Sequence, residues 1–130
     1  MSVNDPIVDA LTKIRNAEAA SKAECLLKPA SKFLGEVLRV AKENNYIEAF
    51  TQDDTKGIIT YKVTLNGKLN VFKAIKPRYA VKRNSYEKYE KRYLPARDVG
   101  CLVVSTPIGV MTHKQAKEKG LGGRLVAFIY

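Results

Sequence analysis

The chain has 130 residues, about the size of one domain or of two small lobes that share a core, and its 45% of hydrophobic residues excludes a disordered tail. Lysine and arginine (23) outnumber aspartate and glutamate (13), which gives a formal net charge of +10. No apolar run approaches the roughly 18 residues of a membrane-spanning helix. The first residues also lack the basic stretch and apolar core of a secretory signal.

A first helix is predicted from Pro6 onward, because proline suits the first turn and the preceding Asn-Asp pair can cap it. Its apolar residues follow the i, i+3, i+4, i+7 spacing of a core-facing stripe: Ile7, Ala10, Leu11, Ile14 and Ala17. Lys13, Arg15 and Asn16 fall mostly off this stripe. We therefore expect these three to point towards solvent or a ligand.

Residues 25–27 are predicted to form a short buried strand. A second helix follows, capped by Ser31, with Lys32 beside the cap and apolar residues recurring at helical spacing. Asn44 and Asn45 are predicted to end this helix, since asparagine tolerates the left-handed backbone of a helix terminus.

Three strands are predicted next, over residues 46–50, 58–65 and 69–75. Asn66-Gly67 lies between the last two and is a strong hairpin signal, because both residue types tolerate the positive φ of a type I′ turn. The order α-β-α-β-β, with a further β-strand, describes a compact first lobe.

The excess positive charge is concentrated in residues 68–97. Residues 1–67 hold nine basic and nine acidic residues, residues 68–97 hold ten against two, and residues 98–130 hold four against two. Such a run favours a polyanionic partner, because each phosphate that it neutralises releases a condensed counterion. The alternatives are a solvated basic face and membrane-surface binding, although no basic amphipathic helix is predicted here.

Tyrosines are interleaved with these basic residues. They are Tyr79, Tyr86, Tyr89 and Tyr93, set among Arg78, Lys82, Arg83, Lys88, Lys91, Arg92 and Arg97. Tyrosine beside arginine offers stacking surface and hydrogen bonds to an unpaired base or a ribose. The segment therefore predicts nucleic-acid binding, with Lys82, Arg83 and Tyr86 as candidate contacts. Pro77 and Pro95 argue against one long regular element.

The last third begins with an apolar strand over residues 99–104 and ends with a strand over residues 125–130. Between them, Thr112 and Gln115 match the capping-box pattern of a helix start. This helix is predicted to be short, with Gly120 closing it in the left-handed conformation. Leu121-Gly122-Gly123 is then expected to be a flexible corner.

Catalytic and metal-binding patterns are not expected from this sequence, and no cofactor is predicted. Ser105, His113 and Asp98 contain the residue types of a nucleophilic triad, but no G-x-S-x-G elbow accompanies them. A lone histidine just after a helix cap is expected on the surface. Cys25 and Cys101 sit singly in apolar runs and are predicted to be buried, reduced thiols of a cytosolic protein.

Two polar corners are candidates for RNA recognition. Ser105 and Thr106 end a strand before a proline and a tight glycine turn, and Gly122-Gly123 precede Arg124. Hydroxyls and bare glycine backbone suit the ribose hydroxyls and base edges of the shallow RNA minor groove. The alternative is that the two hydroxyls only cap backbone groups.

These residues resemble a known family, universal ribosomal protein eight of the small subunit. The C-terminal positions that fit its pattern are Ser105, Thr106, Gly109, Val110, Met111, Thr112, Ala116, Gly122 and Gly123. The N-terminal positions are Asp5-Pro6-Ile7, Leu11-Thr12-Lys13-Ile14-Arg15-Asn16-Ala17 and Pro29-Ala30-Ser31-Lys32. The resemblance covers essentially the whole chain at matching spacing.

The middle segment, with its Ile75-Lys76-Pro77-Arg78 run, looks like the archaeal branch of the family. Two positions depart from the common bacterial pattern: Pro107 replaces a hydroxyl residue, and Ile108 stands where a lysine is usual. One hydroxyl contact and one phosphate contact of the family are therefore in doubt here.

The resemblance implies a two-domain α+β fold, with an N-terminal α/β lobe (1–67), a basic connecting segment (68–98) and a mainly β C-terminal lobe with one short helix (99–130). It implies a cytoplasmic, non-enzymatic constituent of the small subunit that binds an irregular helix of the rRNA central domain and helps assemble it. Neighbouring ribosomal proteins and the protein's own messenger RNA are further implied partners. The implied RNA contacts are Ser105, Thr106, Gly122 and Gly123, with Lys13, Arg15, Asn16, Ser31 and Lys32 as a second set. Arg124 is a further candidate from its place in the second polar corner.

Three competing functions remain open at this point. A free regulator of messenger RNA would be largely absent from ribosomal fractions. An RNA-processing enzyme would turn over labelled RNA, and a protein–protein module would bind its partner without the basic segment.

Overall fold

The computed structural model describes residues 6–27, 32–53, 60–76, 78–96 and 99–130. The helices are α1 (Pro6–Ala19), α2 (Lys32–Glu43), α3 (Tyr86–Tyr93) and α4 (His113–Glu118). The strands are β1 (Glu24–Leu27), β2 (Ala49–Asp53), β3 (Thr60–Thr64), β4 (Phe72–Ala74), β5 (Ala80–Val81), β6 (Cys101–Thr106), β7 (Gly109–Thr112) and β8 (Gly123–Ile129). The chain divides into two compact units, Met1–Phe72 and Lys73–Tyr130. The predicted α+β class, with an α-β first part and a mainly β last part, is confirmed.

The first unit contains α1, α2 and an antiparallel sheet with the strand order β1-β3-β2. All five residues of the predicted α1 stripe are buried, so this helix faces the core as its spacing requires. Helix α2 ends where the asparagine pair predicted. Asn45 has a φ of +64°, and the amide of Tyr46 donates to the carbonyl of Ala41.

The second unit is built on an antiparallel sheet with the order β4-β8-β6-β7, in which β5 also pairs with β8. β8 pairs with β6 along one side. Two segments share its other side: Ala80 of β5 pairs with Arg124, and the amide of Ile75, next to β4, donates to the carbonyl of Val126. Tyr86 of α3 and Ala116 of α4 are buried with the apolar residues of this sheet. Burial of that apolar face is the main stabilising contribution to the unit.

The predicted hairpin at Asn66-Gly67 is wrong. β4 pairs with β8 in the second sheet, and of the two turn residues only Gly67 has a positive φ. The Asn66 side chain instead accepts from the amide of Lys68 and donates to the carbonyl of Asn45. Asparagine can therefore form a local side-chain turn that redirects the chain without pairing the flanking segments.

The expectation that the basic segment lacks an amphipathic helix is also wrong. α3 lies within it, with Tyr86 fully buried and Tyr89 and Tyr93 half-buried at positions i, i+3 and i+7. The tyrosines form the inward stripe, and the charged residues between them are exposed except for the half-buried Glu90. Pro95 follows the helix and does not interrupt it.

Several predictions fall on residues outside the described part of the chain: the α1 cap before Pro6, the cap and RNA contact at Ser31, and the role of Asp98. Within the described part, no helix combines the length and hydropathy needed to cross a bilayer.

The two cysteines should differ sharply in reactivity. Burial raises the pKa of Cys101, which is 3% exposed, to about 12. Cys25 is half-buried, and burial also raises its pKa, but the charges of Lys13 and Lys22 partly offset that rise. Because the thiolate is the reactive form, a chromogenic aromatic disulfide at pH 8 should label Cys25 first and Cys101 only upon unfolding. Cys25→Ser should remove the faster phase. Equal rates for both thiols in the folded protein would contradict this assignment.

Candidate nucleic-acid interface

Three predicted contact segments come together at one end of the second sheet. Ser105 of β6 pairs with Arg124 of β8, and Arg124 pairs on its other side with Ala80 of β5. Lys82 and Arg83 follow β5 directly. The register therefore sets the Ser105 corner, the Gly122-Gly123-Arg124 corner and the basic pair side by side. We call this end of the sheet the polar edge.

The two glycines of the polar edge permit close approach of neighbouring strands. A β-carbon on Gly123 would clash with the carbonyl oxygen of Ser105, and one on Gly122 would lie 2.6 Å from the carbonyl oxygen of Val81. Neither residue has a positive φ. The corner is therefore closely packed, and the expectation of a flexible corner is wrong, because the lack of side chains serves packing here and not backbone freedom.

The two hydroxyls of the polar edge have different surroundings. Thr106 is 8% exposed, and its Oγ1 donates to the carbonyl of Gly109 at 2.7 Å across the β6–β7 turn. Ser105 is half-buried, and its hydroxyl has no hydrogen-bond partner among the described residues. The Thr106 proton thus stabilises the turn, as the backbone-capping alternative proposes, whereas the Ser105 hydroxyl can both donate and accept.

Lys82, Arg83 and Arg124 are exposed and, among the described residues, form no ion pair. Arg39 of the first unit differs in this respect, because it pairs with Glu36 and Glu43 at 3.0 Å. Cations without carboxylate partners attract an anion at no cost of breaking an existing pair. The charge of the polar edge is therefore suited to phosphate.

Tyr86 does not contribute a stacking surface, contrary to the sequence-based expectation. Its side chain is fully buried, its hydroxyl donates to the carbonyl of Leu121 at 2.9 Å, and burial raises its pKa. Tyr86 therefore anchors the start of α3 to the residue before Gly122. It positions the polar edge from within the core.

His113 was expected on the surface, and this expectation is wrong: it is 1% exposed. Its Nδ1 accepts from the amide of Leu102 at 3.0 Å, one residue beyond the last β6–β7 pair, Val103–Thr112. Its Nε2 contacts Glu90 Oε1 at 2.6 Å, and Lys117 contacts the same oxygen at 2.7 Å. The imidazole thus extends the strand ladder and links α3 to α4.

The capping box explains how His113 reaches this position. Thr112 Oγ1 accepts from the amide of Gln115 at 3.2 Å, and the amide of Thr112 donates to Gln115 Oε1 at 3.1 Å, as the sequence pattern predicts. The box fixes where α4 begins and so directs His113 inward. The position of His113 directly after the capping Thr112 was the sequence signal for its placement. Whether its ring faces the core depends on contacts with α3, a helix that the sequence analysis did not predict.

Residues 5–130 match the family model described as ribosomal protein S8. The chain belongs to this family. Ribosomal protein S8 is a structural protein of the small ribosomal subunit that binds rRNA, and the family is not one of enzymes. Its members are components of the translation machinery and work within a ribonucleoprotein.

The N-terminal contacts expected for the S8 family lie in the first unit. Lys13 and Asn16 are exposed on α1, Arg15 is half-buried there, and Lys32 is exposed at the first residue of α2. Arg15 also lines a shallow surface depression together with Lys22 and Asn70. These side chains all belong to the first unit and are distinct in sequence from the polar edge.

The described residues show no arrangement for catalysis at the polar edge. Both ring nitrogens of His113 are engaged, one by the amide of Leu102 and one by Glu90. It therefore has no free nitrogen with which to act as a base for Ser105. Within the same described ranges, no three histidine, cysteine or acidic side chains group to hold a metal ion.

The His113 cluster should make the fold sensitive to mild acid. Burial lowers the pKa of His113 from 6.5 despite the attraction of Glu90. Burial alone would raise the pKa of Glu90, but the Lys117 hydrogen bond and the charge of His113 lower it from 4.5. Both groups bind protons more weakly when folded, so their contribution is complete above about pH 6.5 and is lost as the pH falls.

We expect the free energy of unfolding, measured by urea titration, to decrease from pH 7 to pH 5 and again below pH 4.5. His113→Gln should lower stability at pH 7 and flatten the first decrease. Parallel profiles for the variant and the wild type between pH 7 and pH 5 would contradict the role given to His113.

Proposed function

We propose that the polar edge binds an irregular helix in the central domain of small-subunit rRNA and helps assemble and stabilise that domain in the cytoplasmic ribosome. The observation that carries the proposal is the register that sets Ser105 beside Arg124 and next to Lys82-Arg83. This places a free hydroxyl, bare glycine backbone and unpaired cations on one surface. The S8 family supports the rRNA partner, and the polar edge supports the kind of RNA feature that is recognised.

The two kinds of group have separate tasks. Lys82, Arg83 and Arg124 bind phosphates and supply affinity that carries little sequence information. Ser105 and the backbone at Gly122-Gly123 fit against riboses and base edges in the open minor groove. The Thr106 oxygen can still accept from a ribose hydroxyl while its own proton is donated to the carbonyl of Gly109.

The first unit supplies a second contact in this proposal. Lys13, Arg15, Asn16 and Lys32, together with Ser31, meet the phosphates of the same RNA or its neighbour. Other small-subunit proteins bind nearby, and a messenger RNA that folds into the same irregular shape would be bound by the same polar edge.

The test is binding of the purified protein to a central-domain helix fragment and to a regularly paired hairpin of equal length, across a salt series. A preference for the irregular helix that survives moderate salt supports shape-specific recognition. Equal and steeply salt-dependent binding to both RNAs would refute it, since that result requires only phosphate contacts.

Ser105→Ala should reduce the preference for the irregular helix by about 1 kcal/mol, the net contribution of a typical hydrogen bond. Binding to the regular hairpin should hardly change, because the Ser105 hydroxyl is not a phosphate anchor. Thr106→Val is the matched comparison: it removes the 2.7 Å bond to Gly109, so it should lower the melting temperature, which Ser105→Ala should not. Equal losses on both RNAs from Ser105→Ala would contradict the proposal.

Arg124→Gln and Lys82→Gln should weaken binding to both RNAs and each reduce the slope of log affinity against log salt by about one counterion. Lys62→Gln is a control with the same loss of charge, because Lys62 pairs with Glu24 at 3.2 Å in the first unit. Its slope should match that of the wild type. An unchanged slope for both polar-edge variants would show that these cations do not contact phosphate.

A further inference from the structure

Helix α3 has two differently charged sides. On one side Glu87 pairs with Lys91 at 3.5 Å, and Glu90 is bound by His113 and by Lys117. On the other side lie Lys88 and Arg92, one helical turn apart and both exposed. Among the described residues, neither of these two cations contacts an acidic side chain. Both acidic residues of α3 therefore already have cationic or histidine partners on this side of the helix.

Arg92 is held between two tyrosine rings. Its guanidinium carbon lies 5.5 Å from the centroid of Tyr79 and 5.4 Å from that of Tyr93, both within cation–π range. A lysine could not replace it equivalently, since only the guanidinium is planar and stacks on ring faces. The Lys88 Nζ lies 5.6 Å from the centroid of one ring, that of Tyr89, also within cation–π range.

These groups continue into a longer series of planar side chains. The Tyr79 and Tyr89 centroids are 5.7 Å apart, Tyr93 stacks on Phe128 at 5.2 Å, and Phe128 stacks on Tyr130 at 6.2 Å. We call these six side chains the aromatic row: Tyr89, Tyr79, Arg92, Tyr93, Phe128 and Tyr130. Its five rings are half-buried, so each is ordered by the unit and still keeps exposed surface.

The aromatic row is continuous with the polar edge. The amide of Leu125 donates to the carbonyl of Tyr79 at 2.9 Å, and the next residue, Ala80, pairs with Arg124. Because successive side chains along a strand face opposite sides of a sheet, a nucleic-acid strand that leaves Arg124 reaches Tyr79 by passing around the β5 edge. Only one residue separates Tyr79 from Val81, which precedes the Lys82-Arg83 pair.

We propose that the aromatic row binds unpaired bases of a single-stranded RNA segment that flanks the helix held by the polar edge. This inference rests on the proposed function. Exposed ring surface beside the unpaired cations Lys88 and Arg92 suits the bases and phosphates of a single strand. An acidic peptide would use the two cations but would not cover the exposed ring surface with an aromatic group. Because the rings and the guanidinium are already ordered, little side-chain freedom remains to be lost on binding.

The experiment compares two RNAs that share the central-domain helix, one blunt and one with a single-stranded flank of a few nucleotides. The wild-type protein should bind the flanked RNA on the order of tenfold more tightly, the effect of stacking a base. Arg92→Gln should abolish this gain, and Arg92→Lys should lose most of it although the charge is kept. Lys91→Gln, a charge-matched change on the side paired with Glu87, should retain the gain.

Tyrosine fluorescence gives a direct second measurement, since the chain has seven tyrosines and no tryptophan. The flanked RNA should quench the emission more than the blunt RNA does, and Arg92→Lys should reduce that difference. Equal affinity and equal quenching for the two RNAs with the wild-type protein would overturn the proposal. Arg92-dependent binding of an acidic peptide or of anionic vesicles, with no effect of the flank, would overturn it as well.

The two proposals fail in different ways. If the polar edge does not recognise RNA shape, the irregular and regular helices bind alike, while the gain from a flank is still measured on either helix. If the aromatic row is not an RNA surface, the preference for the irregular helix persists and the flank adds nothing.

Discussion

The pairing of β6 with β8 is the constraint on which the second unit depends. β8 is paired along both sides, with β6 on one and with β4 and β5 on the other, so its position sets the whole sheet. The pairing can continue to Ser105 only because Gly123 has no side chain to meet the Ser105 carbonyl. A larger residue there would separate the strands at the point where the candidate RNA contacts converge. The same glycine therefore serves the packing of the sheet and the assembly of the interface.

A polar cluster around the buried His113 holds the helices against this sheet. His113, Glu90 and Lys117 join β6, α3 and α4 through contacts of 2.6 to 3.0 Å. Buried groups of this kind stabilise only when each is satisfied, and here both imidazole nitrogens have partners. The cluster uses Glu90 of α3 for internal contacts, and Glu87 pairs with Lys91. Lys88 and Arg92 on the opposite side are left without carboxylate partners among the described residues.

The charge of the molecule is thus organised by pairing as well as by composition. Some basic side chains pair with glutamates, namely Arg39 and Lys62 in the first unit and Lys91 and Lys117 in the second. In the second unit, Lys82, Arg83 and Arg124 have no such partners within the described ranges. Lys82 and Arg83, within residues 68–97, and Arg124 therefore remain available for the phosphate contacts that we propose. The tyrosines among them divide between an anchor, Tyr86, and rings that retain exposed surface.

The sequence by itself determined those features that depend on neighbours within a few residues. The buried stripe of α1, the end of α2 at Asn45 and the capping box of Thr112 each follow from local spacing and side-chain chemistry, and the structure contains all three. The family also follows from the sequence, since its motifs span the chain. Three other features are set by the tertiary structure. They are the strand that β4 joins, the burial of Tyr86 and His113, and the difference between the free hydroxyl of Ser105 and the hydrogen-bonded hydroxyl of Thr106. Each of these depends on contacts between segments far apart in the chain, and local sequence does not encode which distant partner will complete a hydrogen bond or cover a ring.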